Sequence, residues 1–244
     1  MSQEILSGKT ALITGAGKRI GRSIALALAD ERVNIVIHYP KEIEETKELS
    51  DRLTERKVKW WLIKADFANL QETETLIRRT ADMAGPFDFL INNASIFSRN
   101  TLMDMTFENI VQQMQVNAWS PFNLSREFVR IMGKGKIINL LDTKIYSYDW
   151  DHTAYILSKN MLLLLTKMTA VSFAPKVSVN GIAPGLILPP AGKDEHFLEK
   201  LAETVPLKKH GNPSDIAQAV IYLLKSTYLT GQIISVDGGK HLNG

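Results

Sequence analysis

The stretch TALITGAGKRIGRSIAL, residues 10–26, decides how this chain is read. Residues 10–14 form a short apolar, β-rich run, and from Ile20 onward the apolar residues fall at helical spacing. Between them lie Gly15, Gly17 and Gly21, with Lys18 and Arg19. Glycines at such a turn allow positive φ and let the backbone come close to a pyrophosphate. The free N–H groups and the dipole at a helix start favour that anion. A glycine cluster alone is weak evidence and also fits a structural tight turn. Placed first in the chain, between a strand and a helix, it reads as a dinucleotide-binding loop. Gly15, Lys18, Arg19, Ile20 and Gly21 are its candidate cofactor-binding residues.

Outward from this loop the same alternation continues. Strand candidates follow at 34–39, 58–65, 87–92, 136–141, 177–182 and 232–236. Helix candidates lie at 20–31, 42–56, 71–83, 103–114, 118–132, 153–173 and 213–225, with a short one near 195–203. The strands are continuous apolar runs rather than alternating ones, which implies a sheet covered on both faces. Neither a 20–50-residue repeat nor a Pro/Gly/Ser linker divides the chain. The pattern predicts an α/β fold: a Rossmann-type, doubly wound, parallel seven-stranded sheet in one domain spanning residues 1–244. Leu162 to Leu165 point to all sides of their helix, so its outer face is expected to pack on another subunit.

Composition excludes several classes. With 244 residues, 45% apolar, 23% charged and a net charge of +3, the chain is neither disordered nor collagen-like. It has no Cys, so it can form no disulfide, thiol nucleophile or thiolate metal site. That fits a reducing compartment, and a cytoplasmic location is expected. The opening residues lack the apolar stretch of a signal peptide, and the run 161–165 is far too short to span a membrane. No Lys/Arg block points to nucleic acid, and Lys208-Lys209-His210 reads as a solvated loop. His152, His196, His210 and His241 show no metal-ligand spacing, and no metal is expected.

Cofactor choice is written at the end of the second strand. An NAD site usually places an acid there, about 20 residues past the glycines, to bind the ribose diol. Here the segment reads Ile37-His38-Tyr39-Pro40-Lys41, with no acid before Glu42. Lys18 and Lys41 offer positive charge to a 2′-phosphate, unless both are simply solvated. The reading is a preference for NADPH, with His38, Tyr39 and Lys41 at the site.

Tyr155 and Lys159 stand at i and i+4, on one face of a helix. An ammonium beside a phenol stabilises phenolate, so the proton can move near neutral pH. Such a pair is common by chance. This one opens the helix after strand 136–141, at the carboxyl edge where parallel sheets bind ligands.

With these residues in place the chain resembles the short-chain dehydrogenase/reductases along essentially its whole length. The resemblance rests on Thr14-Gly15 with Gly21, Asp66 and Asn92-Asn93-Ala94. It continues through Asn117, Tyr155, Lys159, Asn180, Pro184-Gly185 and Asp237-Gly238-Gly239. It implies that Asp66, with Phe67, meets the adenine and that Asn93 and Ala94 line the cofactor cleft. It also implies that Lys159 binds the nicotinamide ribose, that Asn117 holds a water in a proton relay, and that Pro184, Gly185 and Leu186 contact the cofactor. A homotetramer, or at least a dimer, is implied, paired through helices 118–132 and 153–173.

Four departures are informative. Asp142 stands thirteen residues before Tyr155, where the family usually has Ser. Arg19 replaces the central glycine of the nucleotide loop, Ser95 and Phe97 follow Asn92-Asn93-Ala94, and the second strand ends His38-Tyr39. Together they resemble the pteridine reductase branch, and the runs 180–188 and 237–242 look closest to its bacterial dihydromonapterin reductases. This implies NADPH-dependent reduction of a pterin C=N bond, in dihydromonapterin, dihydrobiopterin or dihydrofolate. Phe97 would stack the pterin, Arg19 would reach phosphate and substrate, and Ser95, Asp142 and Tyr155 would line the substrate side.

The chemistry of Asp142 agrees independently. A carbonyl reductase builds negative charge on oxygen; a carboxylate there opposes it and raises the Tyr pKa. Imine reduction is easier on the protonated, cationic imine, which a carboxylate favours and can help protonate. The plain alternative is an Asp capping a loop. An ordinary carbonyl or 3-oxoacyl reductase remains a second reading, and a non-catalytic NADP-binding sensor a third, against which the intact Tyr155/Lys159 pair argues. A flap over the substrate is expected near 187–204.

Overall fold

The computed structural model describes residues 5–41, 44–190, 192 and 194–243. The chain begins β1 (Thr10–Ile13), α1 (Arg19–Asp30), β2 (Asn34–Tyr39), α2 (Glu44–Glu55), β3 (Trp60–Lys64), α3 (Leu70–Ala84) and β4 (Phe89–Asn92). It continues α4 (Phe107–Met114), α5 (Ser120–Met132), β5 (Gly135–Leu140), α6 (Thr153–Ser172), β6 (Val177–Pro184), α7 (Glu195–Ala202), α8 (Pro213–Lys225) and β7 (Ile233–Val236). All strand pairs are parallel, in the order β3-β2-β1-β4-β5-β6-β7. The expected seven-stranded, doubly wound sheet is therefore present. Its order reverses at β1, between β2 and β4, and a crevice opens there at the carboxyl ends of the strands.

The apolar runs are continuous because both faces of the sheet are covered. Ile35 and Ile37 pack with Ile24, Leu28 and Leu224 on one side. Val36, between them, packs with Leu12, Leu76, Leu90 and Phe128 on the other. Successive strand side chains alternate faces, so a strand with helices above and below needs apolar residues throughout. Full burial of each such side chain stabilises by about 1.5–3 kcal/mol.

Local signals set the boundaries. Asn69 caps α3 by accepting from the N–H groups of Gln71 and Glu72. Asn212 and Asp215 form a capping box at α8, with Pro213 in the first turn. Gly133 closes α5 in the left-handed region at φ 72°. The fourth helix starts at Phe107, not 103, because Thr106 forms a capping box with Asn109 there and Thr101 turns back on Asp104. Between α4 and α5 the chain runs through a π-turn at Gln115–Trp119. Residues 107–132 thus form one helical stretch with a bulge where two helices were expected to meet. Two 3₁₀ turns, Thr143–Tyr146 and Lys240–Asn243, have no counterpart in the sequence pattern. Of the expected flap, residues 191 and 193 lie outside the described residues; α7 forms its second part. The start of the second expected helix, 42–43, is likewise outside them.

Candidate active site

The nucleotide loop is built as the glycine spacing requires. Gly15 sits at φ +64°, and a Cβ there would press on Ala94 at 3.1 Å. A Cβ on Gly21 would meet the Gly15 carbonyl oxygen at 2.3 Å and Asn93 Nδ2 at 2.7 Å. Arg19, at the usual glycine position, itself takes φ +52°. It opens α1, and its guanidinium donates to the Pro189 carbonyl at 2.8 Å, joining the nucleotide loop to the expected flap across the cleft mouth. The second wall is tied to the first through Thr14, whose hydroxyl accepts from the N–H groups of Asn93 and Ala94, both at 2.9 Å. Asn93 Nδ2 returns the contact to the carbonyls of Thr14 and Gly15.

These walls enclose a cleft of about 780 Å³, lined by Gly15, Lys18, Arg19, Ile20 and Gly21. His38, Tyr39, Lys41, Asp66, Phe67, Asn93, Ala94 and Ser95 are among the other lining residues. Its volume suits a large ligand. Crowded glycines beside an open helix start, with two lysines on the rim, suit a phosphate-bearing one. The nucleotide half of the expected site is therefore assembled in one place.

His38 lines the cleft, and both its ring nitrogens are engaged by the protein. Nδ1 accepts from Gly15 N–H at 3.1 Å, Nε2 meets the Ala65 carbonyl at 2.9 Å, and the ring stacks on Phe67 at 4.5 Å. An acceptor at Nδ1 and a carbonyl at Nε2 specify the neutral imidazole with its proton on Nε2. Burial pushes the group down to about 4. His38 thus helps to fix the shape of the cleft that it lines. Asp66 also serves the protein, its Oδ1 accepting from Ala68 N–H at 2.9 Å.

The catalytic candidates gather at the ends of β5 and β6 and the start of α6. Tyr155 OH donates to Asp142 Oδ2 at 2.8 Å. Asp142 Oδ1 accepts from Lys144 N–H at 2.9 Å and so caps the 3₁₀ turn. Asp142 therefore caps the turn with one oxygen and meets the Tyr155 hydroxyl with the other. Burial, the Asp142 charge, its hydrogen bond and the Asp149 charge hold the Tyr155 phenol well above its ordinary range. This reverses the expectation of an easily lost phenol proton. Lys159 is buried, its Nζ donates to the Leu140 carbonyl at 2.8 Å and lies 5.6 Å from the Tyr155 ring, and burial lowers it to about 8. Tyr155 thus keeps its proton and donates it in a hydrogen bond to a carboxylate.

The remaining candidates frame this pair. Asn117 lies at the centre of the π-turn, fully buried. Its Oδ1 accepts from Ile96 N–H and the Ser95 hydroxyl, while Nδ2 donates to the Ile96 carbonyl and Ser158 Oγ. Its side chain thereby fixes the Ser95–Ile96 wall against α6. Pro184 ends β6, and its carbonyl accepts from Thr143 Oγ1. A Cβ on Gly185 would strike Asp237 at 2.4 Å, and Leu186 follows as the chain turns back under Gly211. Phe97 stands edge-on to Tyr155 at 4.7 Å with its ring against His152 at 4.0 Å.

One cluster was missed in the sequence. Lys144, Asp149 and His152 lie beside Phe97, with Asp149 accepting from both Lys144 Nζ and His152 Nδ1. Burial opposes ionisation of Asp149, but those two hydrogen bonds and the Asp151 N–H outweigh it and hold the carboxyl at about 2. The three-residue spacing of Asp149 and His152, just before α6, was the available signal.

A family model described as enoyl-(acyl carrier protein) reductase matches residues 15–241. The 3-oxoacyl-[acyl-carrier-protein] reductase FabG of Staphylococcus aureus is 32% identical over 243 residues, covering 96% of this chain and 98% of the relative. Among solved structures, FolM alternative dihydrofolate reductase 1 from Brucella canis, complexed with NADP, is 27% identical at a TM-score of 0.90, covering 98% of this chain and 96% of that one. A short-chain dehydrogenase/reductase from Serratia marcescens is also 27% identical at 0.90, covering 98% and 100%. Sequence, sheet order and site geometry agree: the chain belongs to the short-chain dehydrogenase/reductase family.

Proposed function

We propose that this chain is an NADPH-dependent reductase of a pterin C=N bond, converting a 7,8-dihydropterin such as dihydromonapterin, dihydrobiopterin or dihydrofolate to its tetrahydro form. The observation that carries the reading is the Asp142 carboxylate in hydrogen-bond contact with the Tyr155 hydroxyl. The likeness to FolM proteins from Brucella, complexed with NADP, supports both the substrate class and the cofactor. When bound, the reduced nicotinamide supplies a hydride to the imine carbon. The Tyr155–Asp142 pair holds the proton for the imine nitrogen, and the carboxylate stabilises the cation that forms as it arrives. Lys159, anchored on Leu140, positions Tyr155 and is placed to hold the nicotinamide ribose. Lys18, Arg19 and Lys41 meet the phosphates, Phe97 stacks the pterin, and the chain at Pro189, held by Arg19, covers it.

A second reading, reduction of a 3-oxoacyl thioester, has the FabG relatives in its favour. It would place a developing oxyanion beside Asp142, which costs transition-state stabilisation. A homo-oligomer belongs to either reading. Leu157, Leu164, Met168 and Val171 form an exposed apolar stripe along α6, 42–81% accessible, beside α5. We assign this face to a tetramer of a cytoplasmic enzyme.

NADPH oxidation against a panel of 7,8-dihydropterins and acetoacetyl thioesters tests the proposal. Turnover of the pterins with little on the thioesters is expected. Efficient thioester turnover with inert pterins would overturn it.

A further inference from the structure

The Lys144–Asp149–His152 cluster takes no part in the proton transfer just described, yet it adjoins the reacting end of the site. His152 precedes α6 by one residue and Tyr155 by three. It stacks face to face on Phe97 at 4.0 Å, and Phe97 meets Tyr155 edge-on at 4.7 Å. His152, Phe97 and Tyr155 are thus one continuous wall. Asp149 accepts from His152 Nδ1 at 3.0 Å through either oxygen, so Nδ1 is committed to the carboxylate and Nε2 is the ring nitrogen left to a ligand. Nε2 makes no hydrogen bond among the described residues, although the side chain is only 20% exposed. Asp149 is itself held by Lys144, whose backbone N–H is bound by Asp142. One residue therefore ties the orienting carboxylate to the one that meets Tyr155.

This arrangement is what a carboxylate-oriented histidine looks like when its free nitrogen is reserved for a ligand. The inference rests on the proposed C=N reduction. In a 7,8-dihydropterin the imine carbon that accepts hydride also bears the side chain. A substituent on that carbon cannot lie far from the group that protonates the neighbouring nitrogen. Polar groups beside Tyr155 that are not used in the chemistry are the ones placed to read it.

We propose that His152 is a specificity-determining residue: its Nε2, oriented by Asp149, accepts a hydrogen bond from a hydroxyl on the substituent at the reacting carbon. The preferred substrates are then dihydropterins with a hydroxylated short side chain. Asp149 is a positioning residue that acts through His152.

The test compares 6-hydroxymethyl-7,8-dihydropterin with 6-methyl-7,8-dihydropterin, which lacks the hydroxyl. His152→Phe keeps a ring against Phe97 and removes the acceptor. It should raise KM for the hydroxymethyl substrate about tenfold, the effect of one hydrogen bond, and leave the methyl substrate within about twofold. The kcat values and NADPH affinity should hold. Asp149→Asn should shift KM in the same substrate-selective direction. His152→Gln, which offers a hydrogen-bonding amide at similar reach, should restore most of the affinity and serves if the Phe variant melts early. Equal changes on both substrates, or none, would overturn the role of His152 while leaving pterin reduction intact. A parent enzyme inert toward both pterins would overturn the underlying reading, and the inference with it.

Discussion

Asp142→Ser recreates the residue that ordinary carbonyl reductases of this family carry. Two contacts change. Oδ2 accepts from Tyr155 OH at 2.8 Å and Oδ1 accepts from Lys144 N–H at 2.9 Å. Ser can cap the 3₁₀ turn nearly as well as Asp, so the folding cost should stay within about 1 kcal/mol. For a chain of this size that is a fall in Tm of about 2–4 °C. The chemical cost is larger. Removing a group that takes part in acid–base transfer costs at least about 10²-fold, equivalent to ~2.7 kcal/mol of barrier. Dihydropterin kcat/KM should fall by that factor while acetoacetyl thioester activity stays level or rises, since a hydroxyl donates to an oxyanion. Asp142→Asn is the control: it keeps an oxygen for the cap and loses the charge, so Tm should hold while pterin activity falls. Initial rates of NADPH oxidation and thermal melts on the same preparations separate the two effects. Dihydropterin reduction at the parent rate in Asp142→Ser would refute the argument that the carboxylate serves the imine.

Lys159 gives a pH-dependent prediction. Burial lowers it from 10.5 to about 8, so between those values the unfolded chain holds a proton the folded chain has released, and stability contributed by this site rises with pH. Below that window the folded state bears the full burial cost, so Lys159→Met should raise the Tm of cofactor-free protein at pH 7 and lose the advantage near pH 10. A lower Tm at pH 7 would contradict this. Lys41→Asp should cut the NADPH-over-NADH preference in kcat/KM by about 10-fold or more, the effect of losing a hydrogen bond to a charged group; an unchanged ratio would remove Lys41 from the phosphate site. Leu164→Glu with Met168→Glu places charges in the exposed stripe of α6 and should lower the mass found by light scattering; an unchanged oligomer would move the interface elsewhere.

The fold was legible because its signals are local. Continuous apolar runs such as 35–37 betray a sheet covered on both faces, and the glycines at 15 and 21 mark a loop where a Cβ would strike neighbouring backbone or Asn93. The Tyr155–Lys159 spacing was equally plain. What stayed hidden depends on residues distant in sequence or on subtle backbone geometry. The partners of His38 are Gly15, Ala65 and Phe67, which no window around it contains. Arg19 reaches Pro189 across 170 positions. The π-turn that buries Asn117 differs from α-helix by one residue in its hydrogen-bond span, below what apolar spacing resolves. The reversal of the Tyr155 expectation has an energetic cause: the carboxylate and burial act on the phenol together, while Lys159 is committed to Leu140.

The central claim is hydride delivery to a C=N carbon. It is tested most directly by single turnover with NADPH deuterated at the transferable C4 position and the product examined by NMR and mass spectrometry. With 6-hydroxymethyl-7,8-dihydropterin, the account predicts one deuterium at C6 of the tetrahydropterin; in competition, little enters an acetoacetyl thioester. Deuterium at C3 of a 3-hydroxyacyl product, with unlabelled and unreduced dihydropterin, would contradict it.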